Sequence, residues 1–382
     1  MTRSRPSSLP IIKISGATPK KRGVEIGTKA RELIRENRDY YFRSWEKYGS
    51  MNRRSVFRLM QGFIRNVRAW DPSIFEEIEG IAEGAELDLE EVFAINARYE
   101  LVISRMGRAK PNAKVRDGCT AIAVTDEATA DNETLHAQNW DYRHLEGCIV
   151  IEENQGEGRA SIVGITEAGR MGVLGFNSGG IGLTVNGLVS DLDTADNGIP
   201  FWLLVRAANN SSTLESAIGN IIQSPRSVSG SIILSHEDGY AVGIEFTPKD
   251  AGILYPQKGV MVHTNHFVAM EKTVNDLFKA SVPDTIMRFY TASKMLSGKK
   301  VGLEDVKRTL SDHFEYPLSI CKHLPSGADP DQSFETISSM IFNLRRRELV
   351  FSLGNPCKAA YQTMRFDSLK GQRHNSRASK AA

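Results

Sequence analysis

Only four cysteines occur in the 382 residues, Cys119, Cys148, Cys321 and Cys357, and none forms a Cys-x-x-Cys pair. A chain this long can bury a large core without disulfide staples, so this usage points to a reducing compartment. No apolar run approaches the roughly 18 residues needed to span a bilayer. Neither sign of charge is in excess: 48 Lys and Arg face 46 Asp and Glu, a net charge of +2 that argues against a dedicated nucleic-acid binder. No apolar stretch follows Met1-Thr2-Arg3-Ser4-Arg5-Pro6, so no secretory signal is expected and the chain reads as cytoplasmic, with no membrane partner. P-loop, Gly-x-Ser-x-Gly and dinucleotide fingerprints are all missing. His263 and His266 stand three apart with no third ligand nearby in sequence, and no metal is expected of them.

What is present centres on Arg116-Asp117-Gly118-Cys119, which runs into the apolar segment Thr120-Ala121-Ile122-Ala123-Val124. Asp-Gly is a turn signal, and the short run behind it reads as a buried strand. Two readings of Cys119 follow. It can be a small buried hydrophobe behind a hairpin turn. Alternatively, cleavage between Gly118 and Cys119 would give one residue both a thiol and a free α-amine. That amine, with a pKa of about 7.7–8.0, is suited to take the thiol proton near neutrality. Nucleophile and base would then be a single residue.

The chain changes character at this point. Before it, Val24 to Asn37, Ser55 to Trp70, Pro72 to Glu83 and Leu87 to Leu101 carry helical spacing, and the polar segment Gly107 to Lys114 reads as an exposed linker. After it come short apolar runs between turn clusters: Cys119 to Val124, Leu135 to Trp140, Cys148 to Glu153, Ala160 to Thr166, Gly172 to Asn177 and Ile181 to Asn186. Helices are expected over Pro200 to Ala208 and Thr213 to Gln223, the second capped by Ser212. Strands resume at Ser231 to Ser235, Ala241 to Phe246 and Gly259 to His263. Helices over Pro283 to Leu296 and Leu303 to His313 precede a hairpin of Ile337 to Leu344 and Glu348 to Leu353. This order predicts an α+β fold of two facing sheets with helices on both outer sides. The organisation expected is a helical segment 1–118, a catalytic unit 119–370 and a basic disordered tail 371–382.

Six short motifs then appear in order: Arg116-Asp117-Gly118-Cys119-Thr120, Gln138-Asn139-Trp140-Asp141, Gly175-Phe176-Asn177-Ser178-Gly179, Val262-His263-Thr264-Asn265-His266, Tyr316-Pro317-Leu318-Ser319-Ile320-Cys321 and Met364-Arg365-Phe366-Asp367. With Ile78 to Ala85 upstream, this set resembles the acyl-coenzyme A:6-aminopenicillanic acid acyltransferase family, whose members are N-terminal-nucleophile (Ntn) hydrolases. The resemblance implies a four-layer αββα sandwich made as one precursor, cut between Gly118 and Cys119 into an α-chain and a β-chain that stay together. It implies Cys119 as the nucleophile, Asn265 as an oxyanion donor, and Asp141 on the substrate-amine side of the site. Asn186 resembles the second oxyanion residue of related cysteine amidases, and Arg288 an arginine that supports the nucleophile. On the residues alone, Asp141 reads as a turn or cap, Asn186 and Asn265 as strand-end turns, and Arg288 as an exposed helix residue.

Two departures bear on substrate. Where the penicillin enzymes carry a Ser-Arg pair against the β-lactam, this chain has Gln332-Ser333, so a guanidinium fork for a carboxylate is missing at Ser333. The C-terminal peroxisomal tripeptide of those enzymes is replaced by Lys380-Ala381-Ala382. Three functions stay open at this level: acyl transfer from a coenzyme A thioester to an amine, amide hydrolysis by the same nucleophile, and an uncut binding protein. No resident cofactor is expected; coenzyme A would enter as substrate.

Overall fold

The computed structural model describes residues 8–106, 118–143, 147–156, 159–196, 198–329 and 333–366. The first part holds β1 (Ile11–Ile14) and six helices: α1 (Pro19–Lys29), α2 (Arg31–Gly49), α3 (Arg53–Trp70), α4 (Pro72–Ala85), α5 (Leu89–Asn96) and α6 (Arg98–Met106). Strands β2 (Gly118–Val124), β3 (Leu135–Tyr142), β4 (Cys148–Glu153), β5 (Ile162–Glu167), β6 (Leu174–Asn177) and β7 (Ile181–Gly187) follow, then α7 (Phe201–Asn209) and α8 (Leu214–Ile222). Next come β8 (Gly230–His236), β9 (Ala241–Phe246), β10 (Ala251–Leu254) and β11 (Val260–His263). After them stand α9 (Leu277–Ser281), α10 (Asp284–Leu296), α11 (Leu303–Leu310), β12 (Glu335–Asn343), β13 (Glu348–Leu353) and β14 (Gln362–Arg365). The linker over 107–114, Gln332 and the basic tail fall outside the described residues. No helix among the described residues is long and apolar enough to cross a membrane.

Two sheets form, an eight-stranded one in the order β1-β4-β5-β6-β7-β8-β9-β10 and a six-stranded one in the order β11-β2-β3-β12-β13-β14. Strand β1 runs parallel to β4; the other pairs are antiparallel. Alternation along β2 sets the layering. Ala121 and Ala123 face Ile233 of the opposite sheet, while Ile122 and Val124 turn outward onto Ala292, Leu296 and Leu310 of α10 and α11. Small residues on the inner side let the sheets approach here, and larger ones such as Phe176 and Phe342 fill the interface further along. Helices α7 and α8, backed by α4 and α5, cover the far side of the larger sheet, which completes an αββα sandwich.

Where the helical expectations differ, tertiary packing has overridden periodicity. The helix expected over Val24 to Asn37 is two helices with a corner at Ala30. Helix α1 lies backbone-to-backbone on α4: a Cβ on Gly23 would meet the Glu77 carbonyl oxygen at 2.0 Å, and one on Gly84 the Val24 carbonyl oxygen at 2.3 Å. The segment Leu87 to Leu101 likewise divides at Ala97, because the Asn96 amide is drawn to Gly169 O and Met171 N–H. The cap of α8 is Thr213 rather than Ser212. It is the residue just before the helix, and its Oγ1 accepts the Ser216 N–H at 3.2 Å.

A buried ion-pair network joins the segment before Gly118 to the segment after it. Arg206 on α7 donates to both Glu153 oxygens at 2.7 and 2.6 Å and to Glu77 Oε1 at 2.6 Å. Arg22 on α1 completes the square, with Nε 3.1 Å from Glu153. Burial is the largest influence on the Glu77 carboxyl and, against the arginine charges, raises it to about 7. Removing one cation leaves two buried carboxylates to share a single arginine. Arg206→Met should therefore lower stability by about 3–5 kcal/mol, read as a lower urea midpoint. A variant within experimental error of wild type would show that the network contributes nothing to holding the two segments together.

Candidate active site

Strand β2 begins at Gly118, and the register sets Gly118 opposite Asp141 and Cys119 opposite Trp140 on β3. Cys119 is buried between the sheets. Its backbone N–H donates to Asn265 Oδ1 at 2.8 Å. Its carbonyl accepts from Asn186 Nδ2 at 3.1 Å and from Arg288 Nη1 at 2.8 Å. Asn186 reaches the cysteine from the other sheet, at the end of β7, and so spans the sandwich.

Arg288 is 2% exposed, which corrects its reading as an exposed helix residue. The face of α10 that carries it packs onto β2 and β11, and four groups hold the guanidinium. Nε donates to Asp284 Oδ2 at 2.9 Å, one turn earlier on the same helix. Nη2 donates to Asn265 Oδ1 at 3.0 Å, and Nη1 adds Thr120 Oγ1 at 3.2 Å to the Cys119 carbonyl. Burial would raise the Asp284 carboxyl, but the charges of Arg288 and Lys322 outweigh it and hold it below its ordinary value. Lys322, 1% exposed, closes the chain of charges with Nζ 3.0 Å from Asp284 Oδ2.

The loop after β11 presents Asn265 and is fixed from two sides. Thr285 Oγ1 accepts the Asn265 N–H at 2.7 Å. Glu245 on β9 accepts from His263 Nε2 at 2.8 Å and from the N–H groups of Val268, Ala269 and Met270. His266 turns to Thr264 and Thr285 instead. The two histidines thus serve different partners on the same loop. Asn265 Nδ2 donates to the Gly187 carbonyl at 3.0 Å.

Asp141 is fully buried. Its Oδ1 accepts from Thr336 Oγ1 at 2.7 Å, and its Oδ2 has no hydrogen-bond partner. Burial raises this carboxyl to about 7, opposed by the charges of Lys322 and Arg288. Thr336 reaches Asp141 beside a register irregularity in the β12–β3 pairing, between Thr336 and Ser338, the kind of bulge that re-aims a side chain near a site. Its Oγ1 also accepts the Lys322 N–H at 2.9 Å. Ser333 lies two residues before β12, next to Phe334, whose ring packs on Tyr142 at 5.7 Å between centroids.

Gly118 is hemmed in by these charges. A Cβ there would sit 2.7 Å from Lys322 Nζ and 3.1 Å from Asp141 Oδ2. The lysine cannot swing away without leaving Asp284. Overpacking of this kind costs about 1–3 kcal/mol. If the strain falls on the geometry of the 118–119 bond, Gly118→Ala should slow any reaction there by about 5–160-fold. A time course of chain cleavage measures it, and an unchanged rate would mean that the Gly118 cradle plays no part.

The structure therefore gathers Gly118, Cys119, Asp141, Asn186, Asn265 and Arg288 at one place. Sequence reasoning missed Asp284 and Thr336. Asp284 stands four residues before Arg288 on a helical pattern, a signal that could have found it. Other motif residues serve as braces. Gln138 clamps the Val185 backbone of the facing sheet, and Asn139 donates to the Leu310 and Ile320 carbonyls in the helical layer.

Two facing sheets between helical layers, with a cysteine heading an inner strand, form the architecture of the Ntn hydrolases. Residues 128–358 match the family model described as acyl-coenzyme A:6-aminopenicillanic acid acyl-transferase. The chain is 30% identical over 292 residues to the acyl-coenzyme A:6-aminopenicillanic-acid-acyltransferase 40 kDa form of Emericella nidulans, covering 75% of this chain and 76% of that one. It is also similar to two solved structures. One is the Caenorhabditis elegans ortholog of N-acylethanolamine-hydrolyzing acid amidase (17% identity, 59% of this chain and 93% of that one, TM-score 0.42). The other is penicillin V acylase from Agrobacterium tumefaciens (14% identity, 65% and 86%, TM-score 0.41). The chain belongs to the acyl-coenzyme A:6-aminopenicillanic acid acyl-transferase family, and is an enzyme of acyl transfer or amide hydrolysis.

Proposed function

We propose that the chain is a precursor that cuts itself between Gly118 and Cys119, and that the β-chain so formed is a cysteine acyltransferase. It would move an acyl group from a coenzyme A thioester or an N-acyl amide to an amine. The observation that carries this reading is the set of contacts on Cys119: Asn265 on its N–H, Asn186 and Arg288 on its carbonyl. They fix the backbone of the nucleophile from both sides of the residue.

In the cutting step, Cys119 Sγ adds to the Gly118 carbonyl carbon. The carbon–nitrogen bond breaks, the nitrogen takes up a proton, and water hydrolyses the resulting thioester. The freed α-amine then serves as base for the thiol. Asp141 Oδ2, which lacks a partner and faces Gly118, stands ready to accept a hydrogen bond from that amine. In turnover, Sγ attacks the acyl carbonyl, coenzyme A or an amine leaves, and the acceptor amine takes the acyl group from the cysteine thioester. Asn265 Nδ2 carries two N–H bonds; one meets Gly187, and the other is the donor we assign to the oxyanion. Residues 1–118 would stay bound through the Arg22–Glu77–Glu153–Arg206 network after the cut.

Ser333, in place of the arginine expected from the family, favours a neutral acceptor over an anionic one, or water in a hydrolytic variant of the same reaction. Lys322 is already committed to Asp284. We expect measurable thioester or amide cleavage with poor use of 6-aminopenicillanic acid. Ser333→Arg should improve that acceptor by up to about 1.5–3 kcal/mol in kcat/KM if a charged hydrogen bond forms. Wild-type efficiency on 6-aminopenicillanic acid equal to that on neutral amines would refute this reading of Ser333. A single uncut chain with no turnover would leave only a binding role.

A further inference from the structure

On the outer side of the six-stranded sheet, away from the Cys119 thiol, four side chains from three separate stretches converge. His313 follows α11, Cys321 and His323 lie on the loop beyond it, and Cys357 follows β13. Their ligand atoms all lie within 4.8 Å of one another. The two sulfurs are 3.6 Å apart. His323 Nε2 is 3.5 Å from Cys321 Sγ, 3.4 Å from Cys357 Sγ and 3.2 Å from His313 Nε2. We infer that these residues form a tetrahedral Cys2His2 zinc site.

Three observations carry the inference. A tetrahedral zinc ion, with bonds of about 2.3 Å to sulfur and about 2.0–2.1 Å to nitrogen, spaces its ligands about 3.3–3.8 Å apart; the separations of 3.4, 3.5 and 3.6 Å fall in that range and the 3.2 Å between the two imidazoles lies just below it. One imidazole nitrogen offers either one proton or one lone pair, so His323 Nε2 cannot satisfy three neighbours by hydrogen bonds alone. A shared cation resolves that convergence. The sulfurs are also far beyond the S–S bond length of about 2.05 Å, so the cysteines stand as separate thiols.

The backbone is built to hold the donors in place. Cys321 N–H donates to Asp312 O at 3.0 Å and His323 N–H to Pro317 O at 2.8 Å, which folds the loop back on itself. Asn355, two residues before Cys357, donates to the Lys322 carbonyl at 2.7 Å and ties the second stretch to the first. Cys321 and His323 are buried, whereas His313 is exposed, so the ion can enter from solvent. Two thiolates balance the charge of one divalent zinc, and binding releases the two thiol protons. With four protein ligands and no open position, the site is structural. Cys321 and His323 flank Lys322, whose ammonium meets Asp284 at 3.0 Å.

The test uses the full chain purified under reducing conditions without added chelator. We expect about one zinc per chain by elemental analysis. Cobalt(II) added to the chelated protein should give the visible ligand-field bands of a tetrahedral thiolate site. Cys357→Ser, at the exposed edge, should bind cobalt at least about tenfold more weakly. Cys148→Ser, remote from the cluster, should bind as wild type. Zinc well below stoichiometry together with no cobalt bands would overturn the inference. So would two titratable thiols in place of four in a separate preparation made without reductant and then unfolded, since Cys321 and Cys357 would then be a disulfide. Neither readout depends on cleavage at Gly118, so the metal site and the acyltransferase reading fail separately.

Discussion

Cys119→Ala should run as one intact chain and show no acyl transfer, whereas the wild type should run as two fragments. The expectation follows from the position of the thiol, not from any change in fold. Alanine is close in size to cysteine, and the buried site at the head of β2 already has alanine neighbours at 121 and 123. The backbone contacts to Asn265, Asn186 and Arg288 involve only the N–H and carbonyl of residue 119, so they survive the substitution. What is lost is the atom we assign to attack the Gly118 carbonyl and the acyl donor, and both reactions should fall to background. The variant should retain the wild-type circular dichroism spectrum. Slow but definite cutting at the same bond would mean that another nucleophile acts there.

Asn265→Ala should lose about 10²–10³ in kcat with little change in KM, because an oxyanion donor acts chiefly in the transition state, where it is worth about 2.7–4 kcal/mol. The substitution also removes the acceptor for the Cys119 N–H and for Arg288 Nη2. Asn265→Asp separates the two roles. It keeps an oxygen facing Cys119 and Arg288 but has no N–H to give. We expect it to fold and yet be nearly as slow as the alanine variant. If Asn265→Asp came within about twofold of wild type, far from the hundredfold loss expected of a missing donor, Asn265 would be a brace and not an oxyanion group.

How far the sequence could be read depended on how much each segment buries. Strands β2, β3, β7 and β8 lie inside the sheets, and their apolar runs stood out. Strands β1, β10 and β14 are sheet edges with weak patterns; Ile11 is 47% exposed and Ile253 is 36% exposed. Those three escaped notice. Cys119 was legible because an Asp-Gly turn abuts an apolar run. Asn265 was singled out through the order of short motifs, and Asn186 through its likeness to a residue of related cysteine amidases. On the residues alone Arg288 reads as an exposed helix residue, because helical periodicity does not reveal what packs against a polar face; the resemblance was what pointed to it beside the nucleophile. Thr336 gains its contact with Asp141 beside a bulge, and a register shift leaves no mark in the residue pattern. Cys321 and Cys357, 36 residues apart, come together only when the β12–β13 hairpin returns the chain. Spacing alone could not show them as a pair.

The central claim, that the Gly118–Cys119 bond is cut by the chain itself to make the nucleophile, is tested most directly by intact-mass analysis and N-terminal sequencing of the freshly purified wild-type protein. The account predicts two fragments that co-purify, the larger beginning Cys119-Thr120-Ala121. A single chain that keeps the Gly118–Cys119 bond after prolonged incubation, or a cut at any other bond, would contradict it.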